Sequence, residues 1–103
     1  MNRLPKNRPP TSPGEILLEE FLRPLGISAR QLALAIKVPP NRISEIIRGR
    51  RALTADTALR LARYFDMSVG FWIGLQQGWD LWHALHSEHA AEIERIEPLK
   101  RAS

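Results

Sequence analysis

Cysteine is absent from this chain of 103 residues. That excludes disulfides, thiolate nucleophiles and zinc sites built on cysteine. Long apolar runs are missing as well: nothing approaches the roughly 18 consecutive apolar residues that a membrane span needs. The opening MNRLPKNRPPTSP has no apolar centre of the secretory-leader kind. Together these absences lead to the expectation of a cytoplasmic protein with no membrane association. No glycine-rich phosphate loop, internal repeat or alternation of strand and helix patterns is visible. The serines sit mainly at helix-cap positions, and Glu19 and Glu20, being adjacent, diverge on a helix rather than forming an acid/base pair. Neither an enzyme nor a cofactor is expected.

What is present is the composition of an ordinary globular domain, 44% apolar and 25% charged, at a length that suits one small domain. The net charge of +4 is unevenly distributed. Residues 1–51 hold ten Lys/Arg and four Asp/Glu (+6), and residues 52–103 hold five and seven (−2). A basic half suits a polyanion, and a mildly acidic half suits something else.

Residues 1–12 carry three prolines and three basic residues without apolar periodicity, and read as a flexible basic arm. Helical signals follow. Ser12-Pro13-Gly14-Glu15 has the form of a capping box with proline at the first helical position. Ile16, Leu17, Phe21 and Leu22 give that helix its apolar side, and Pro24 with Gly26 ends it. Ser28-Ala29-Arg30-Gln31 is a second box, opening a helix with Leu32, Ala33 and Ile36 inward. Thr54 and Asp56 start a fourth helix that runs to about Phe65 through Leu59, Leu61 and Ala62. Ser68 caps a fifth, where Trp72, Leu75, Trp79 and Trp82 recur at helical spacing to about Glu88. The tail EIERIEPLK partly alternates apolar and charged residues and is expected to form a short strand or an extended arm.

The stretch VPPNRISEIIRGRRALT, Val38 to Thr54, supplies the third helix. Only about three residues separate it from the second, and so short a joint between amphipathic helices makes them cross steeply, as in a helix-turn-helix. Ala33 is small enough for the close approach. Pro40 costs nothing in the first turn, and each proline biases its predecessor towards extended backbone. Ile43, Ile46 and Ile47 form one face, leaving Asn41, Arg42, Ser44, Glu45 and Arg48 outward. In this motif the exposed start of the second helix enters the DNA major groove. Asn pairs with adenine, Arg with guanine, and Glu accepts from cytosine N4. Arg48, Arg50 and Arg51 flank Gly49, the expected left-handed cap, where a phosphate backbone would pass. Their blander reading is complementing the helix dipole. Ser28, Arg30 and Gln31 offer further phosphate contacts at the start of the second helix.

The central pattern V-P-x-N-R-I-S-x-I-x-x-G-x-R-x-L-T-x-D-T-A-x-R-L resembles the HigA-type, VapI-like antitoxins of the Xre/Cro helix-turn-helix class. The opening PPTSPGEILLEEFLRPLGIS and the W…LQ…DLW segment resemble the same family, so the likeness covers roughly residues 9–85. The resemblance implies an all-α, five-helix, lambda-repressor-like domain over 13–88, between the arm 1–12 and a tail 89–103. It implies a homodimer that represses its own operon at a palindromic operator in double-stranded DNA. It also implies a partner, a RelE-like toxin that cleaves mRNA and is silenced in the complex. By position in the motif, Pro40, Asn41, Arg42, Ser44 and Glu45 would face bases, and Arg48, Arg50 and Ser28 would clamp the backbone. The family pattern departs at Lys37, where the turn often carries glycine. A left-handed lysine there would cost about 1 kcal/mol.

Three points stay open at this level. Phe71, Trp72, Trp79 and Trp82 serve either the core or a homodimer seam. His83, His86 and His89, at three-residue steps, drift by about 60° per step on a helix. A third ligand then fits poorly, and a solvated face is preferred to a metal site, which needs about four ligands. The function itself has alternatives: a stand-alone regulator with no toxin, or a protein-interaction domain that has lost DNA affinity. For the toxin, the arm 1–12 and the segment after Trp82 both lie outside the DNA-reading core, and the acidic second half, with Glu92, Glu94 and Glu97, is the electrostatically suited face.

Overall fold

The computed structural model describes residues 9–100. Residues 13–25 form one helical rod, α1, in three parts: an α-helical turn Pro13–Ile16, a wider π-helical stretch Leu17–Leu22, and a last turn Arg23–Leu25. The others are α2 (Ala29–Ile36), α3 (Pro40–Ile47), α4 (Ala55–Phe65), α5 (Val69–Leu85) and a short α6 (Ala90–Glu94). Most of the expected basic arm, residues 1–8, lies outside the described residues, as does the end of the tail, 101–103.

The caps follow the sequence closely. Ser28 accepts from the Gln31 N–H at 3.0 Å while the Gln31 Oε1 accepts from the Ser28 N–H at 2.8 Å, completing the capping box. Ser12 accepts from the Glu15 N–H at 3.2 Å, but Glu15 returns to the Ser12 hydroxyl (3.4 Å) rather than to its backbone. Thr54 and Ser68 cap α4 and α5 through the N–H groups of Thr57 and Gly70. At the far ends, Gly26, Lys37, Gly49 and Asp66 all adopt left-handed backbone. Each closes its helix with a paired 6→1 and 5→2 hydrogen-bond turn, as with Val38 N–H to Ala33 O and Lys37 N–H to Leu34 O.

The π stretch has a local cause. Pro24 brings no N–H, and its ring would collide with the carbonyl four residues earlier in a regular α-helix. The ladder widens just before it, with the Arg23 N–H reaching Leu18 O. One result is that Leu17 and Leu22, five residues apart, both point into the core.

The core consists of Leu17, Leu22, Leu32, Ala33, Ile36, Val38, Ile43, Ile46, Leu53, Ala58, Leu61, Ala62 and Trp72. Phe21, Phe65 and Phe71 surround Trp72 at centroid distances of 4.9, 6.3 and 5.1 Å. The expected faces of α2 and α3 are correct, with Ile47 half-buried rather than buried. On α4, Leu61 and Ala62 are inside with Thr57 and Ala58, but Leu59 is exposed: at about 100° per residue, it falls about 200° from both Thr57 and Leu61.

The tail departs from expectation. No strand occurs among the described residues. Where EIERIEPLK was expected to extend, Ala90–Glu94 makes a turn of helix, and the residues beyond it have no regular structure. A strand needs a sheet edge to pair with, and this all-helical body offers none. The helix α5 ends at Leu85, short of Glu88, with His86 as its cap.

Candidate nucleic-acid interface

The helices α2 and α3 pack against one another, with Ala33 and Ile43 both fully buried, and the joint between them is held from three directions. Lys37 supplies the left-handed turn residue (φ 64°, ψ 49°). Pro39 is extended (φ −59°, ψ 140°), placing Pro40 as the first residue of α3. From α4, Arg60 donates through one guanidinium nitrogen to Ile36 O at 2.8 Å and Lys37 O at 3.3 Å, while its Nε binds Asp56 at 2.9 Å. The end of α2 thus has its carbonyls satisfied by a cation, which also complements the helix dipole.

The rear of α3 is fixed by α1. A Cβ built on Gly14 would sit 2.0 Å from Ile46 O and 2.8 Å from Ile47 Cα, so only glycine permits the two backbones to touch. The loop after α3 is tied to α5 by Leu53 N–H donating to Gln76 Oε1 at 2.7 Å, and Gln76 in turn donates to Asp80 at 2.9 Å.

Mounted in this way, α3 buries Ile43 and Ile46 and turns Pro40 and Asn41 to solvent, while Arg42, Ser44 and Glu45 sit half-buried along its margins. Arg48, Arg50 and Arg51 are exposed around Gly49, whose φ of 74° is the expected left-handed cap. Two of the sequence-derived candidates meet: Arg51 Nε binds Glu45 Oε1 at 2.8 Å. At the start of α2, Arg30 is exposed, and Ser28 and Gln31 use their side-chain oxygens on each other's backbone N–H groups.

The aromatic set divides. Trp72 is wholly inside, its indole N–H without a hydrogen-bond partner among the described residues, whereas Trp79 and Trp82 are half-buried and Phe71 is 41% exposed. The histidines accompany the outer tryptophans. His83 lies against Trp79 at 4.4 Å, and His86 stacks on Trp82 at 3.9 Å with its Nδ1 2.8 Å from Trp82 O. Among the described residues no group of three His, Asp or Glu is arranged to hold a metal ion. No helix among them is long and apolar enough to cross a membrane.

Three residues that matter to the mount were not singled out in the sequence as such: Gly14, Arg60 and Gln76. All three stood inside recognised stretches, the capping box, the T-A-x-R-L run and the W…LQ…DLW segment, but their partners are 32, 24 and 23 positions away. No local pattern carries that information.

The helix-turn-helix family matches residues 18–72. Virulence-associated protein I of Dichelobacter nodosus is 48% identical over 85 residues, covering 82% of this chain and 79% of that protein. Antitoxin HigA-1 of Vibrio cholerae is 38% identical over 92 residues, 89% of this chain and 86% of that one. The solved structure of Pseudomonas aeruginosa antitoxin HigA with the higBA promoter superposes with a TM-score of 0.82 at 43% identity, covering 88% of this chain and 99% of that one. Matched in sequence and in fold over most of its length, the chain belongs to the helix-turn-helix family, within the HigA-type, VapI-like antitoxins of its Xre/Cro class.

Proposed function

We propose that this protein is a cytoplasmic antitoxin that binds a palindromic operator through α3, represses its own operon, and neutralises a RelE-like mRNA-cleaving toxin. The observation that carries DNA reading is the division of α3: Ile43 and Ile46 locked inside, Pro40 and Asn41 in the open, and Arg42, Ser44 and Glu45 along the margins. Asn41 and Arg42 suit adenine and guanine edges, with Ser44 and Glu45 beside them. Arg48 and Arg50, together with Ser28, Arg30 and Gln31 at the start of α2, take phosphates. The solved structure of the relative with its promoter supports this reading.

A palindrome calls for two copies, placing two recognition helices about 34 Å apart. The seam is assigned to the C-terminal hairpin rather than to the tryptophans. Leu81 and Leu85 of α5 and Ile93 of α6 are each more than half exposed around an apolar cleft of about 180 Å³, and a second copy would cover them. Glu94 lines that cleft and goes with the seam, while Glu92 and Glu97 are exposed nearby and form the face offered to a basic toxin.

Fluorescence anisotropy with a duplex spanning the promoter upstream of the gene tests the DNA half. Asn41→Ala should cost about 1–3 kcal/mol and relax preference at one base pair, and Arg48→Ala should lower the salt slope by about 1. Equal affinity for promoter and scrambled duplex would overturn it. An affinity pull-down from the native host, with intact masses, tests the other half. A stoichiometric small basic protein is expected, and recovery of the protein with DNA alone would favour a regulator without a toxin.

A further inference from the structure

The Glu45–Arg51 pair joins a proposed base-facing residue to a proposed phosphate clamp, and the pairing changes what each can contribute at DNA. Arg51 binds Glu45 through Nε to Oε1 at 2.8 Å, with the two side chains 45% and 34% exposed. The backbone sets up this meeting. Gly49 turns left-handed, the Arg50 N–H closes onto Glu45 O at 2.8 Å, and the chain doubles back so that Arg51 arrives beside the carboxylate six positions earlier. The pairing is therefore a product of the helix cap and not of two long side chains meeting by chance.

Glu45 faces a problem that its neighbours on α3 do not. A carboxylate carried to the edge of a polyanion is repelled, and its ability to accept from cytosine N4 is useful only if that repulsion is offset. Arg51 provides the offset. A single N–H engages Oε1, which leaves Oε2 to accept from a base. A guanidinium whose charge is matched by Glu45 adds no net positive charge for counterion release. Arg48 and Arg50, by contrast, have no acidic partner within salt-bridge distance among the described residues.

We propose, building on the DNA-reading function above, that Arg51 is a positioning residue that neutralises and orients Glu45 for base recognition, and not a phosphate clamp. An exposed ion pair of this kind contributes little to folding, so its consequence lies in sequence preference.

The test uses the full chain and promoter duplexes in which each operator base pair is replaced in turn, with affinities measured across a salt series. The proteins are wild type, Glu45→Gln, Arg51→Ala, Arg51→Lys, the double variant Glu45→Gln/Arg51→Ala, and Arg48→Ala as the phosphate-contact reference. Glu45→Gln is expected to lower the preference at one base pair about tenfold. Arg51→Ala should lower the preference at that same pair, and the double variant should lose no more than either single one. Arg51→Lys keeps the charge without the planar fork, so it should retain general affinity and lose the preference. The salt slope should fall by roughly 0.9 for Arg48→Ala and stay near the wild-type value in the double variant, which removes a matched pair of charges. A uniform loss across all duplexes in the double variant, with a slope change equal to that of Arg48→Ala, would make Arg51 a phosphate clamp and overturn the proposal. So would a Glu45→Gln protein with unaltered base preference, while Asn41 and Arg48 still reported intact DNA reading. If wild type itself failed to distinguish promoter from scrambled duplex, both the proposal and the DNA-reading function would fall.

Discussion

The two ends of this molecule treat apolar side chains in opposite ways. From α1 to α4 each helix sends one apolar face inside, with Leu17, Leu32, Ala33, Ile43, Ala58 and Leu61 fully buried while Leu25, Leu34 and Leu59 stay out. From Leu81 onward the same residue types stay out: Leu81, Leu85, Ile93, Ile96 and Leu99 are each more than half exposed. The difference is one of neighbours rather than of composition. In the first region α1 and α2 pack against the inner face of α3, whereas the second has only α5 and the short α6 to shelter one another. A body closed on itself can hold a recognition helix still. A hairpin with an uncovered apolar side is suited to a second copy of the chain.

The sharpest way to break this contrast is to remove one leucine from each region. Leu61→Ala empties a fully buried position and should cost about 3 kcal/mol of unfolding free energy in denaturant titration. Leu85→Ala, at a position 56% exposed, should change monomer stability by less than about 0.5 kcal/mol and instead weaken self-association, as read by analytical ultracentrifugation across a dilution series. Comparable losses of stability at the two sites would mean that the hairpin folds as part of the core.

Gly14→Ala addresses the mount. The added methyl would meet the Ile46 carbonyl and push α1 from α3, an overpacking cost of about 2–3 kcal/mol in the same titration. Operator affinity should fall with it, because α3 loses its rear support. Arg60→Ala removes the cation that binds the Ile36 and Lys37 carbonyls, and should cost about 1.5 kcal/mol. Hydrogen exchange should then rise at the amides of the turn and the end of α2 before it rises elsewhere. The smallest effect is of opposite sign: Lys37→Gly relieves a left-handed lysine and should stabilise the fold by about 1 kcal/mol. Failure to stabilise would show that the lysine side chain contributes something at the turn.

Much of the architecture was legible because its causes are local. Serine or threonine caps begin α1, α2, α4 and α5 where the sequence placed them, since a hydroxyl bonding an N–H two or three residues ahead is a short-range matter. Gly49 ends α3 for the same reason, and the prolines fix its start. The apolar faces of α2 and α3 follow from 3.6-residue periodicity alone. The same rule predicted too much at Leu59, because it identifies a stripe without saying which helices will cover it. The tail shows the limit from the other side: alternation in EIERIEPLK suggested a strand, but strand formation depends on an edge that the rest of the molecule does not provide.

By itself, then, the sequence determined the helices, their caps, the short turn before α3 and the residue types that α3 carries outward. Each of these is governed by interactions within a few positions along the chain. The tertiary structure alone decided that Gly14 touches the backbone of Ile46, that Arg60 holds the turn, that Gln76 anchors Leu53, that Arg51 is bound to Glu45, and that Trp72 goes inside while Trp79 and Trp82 remain near the surface. Most of these pair groups from different helices, and the partner of each is fixed only when the helices pack. Glu45 and Arg51 are only six positions apart, but their meeting depends on how the chain turns back at Gly49.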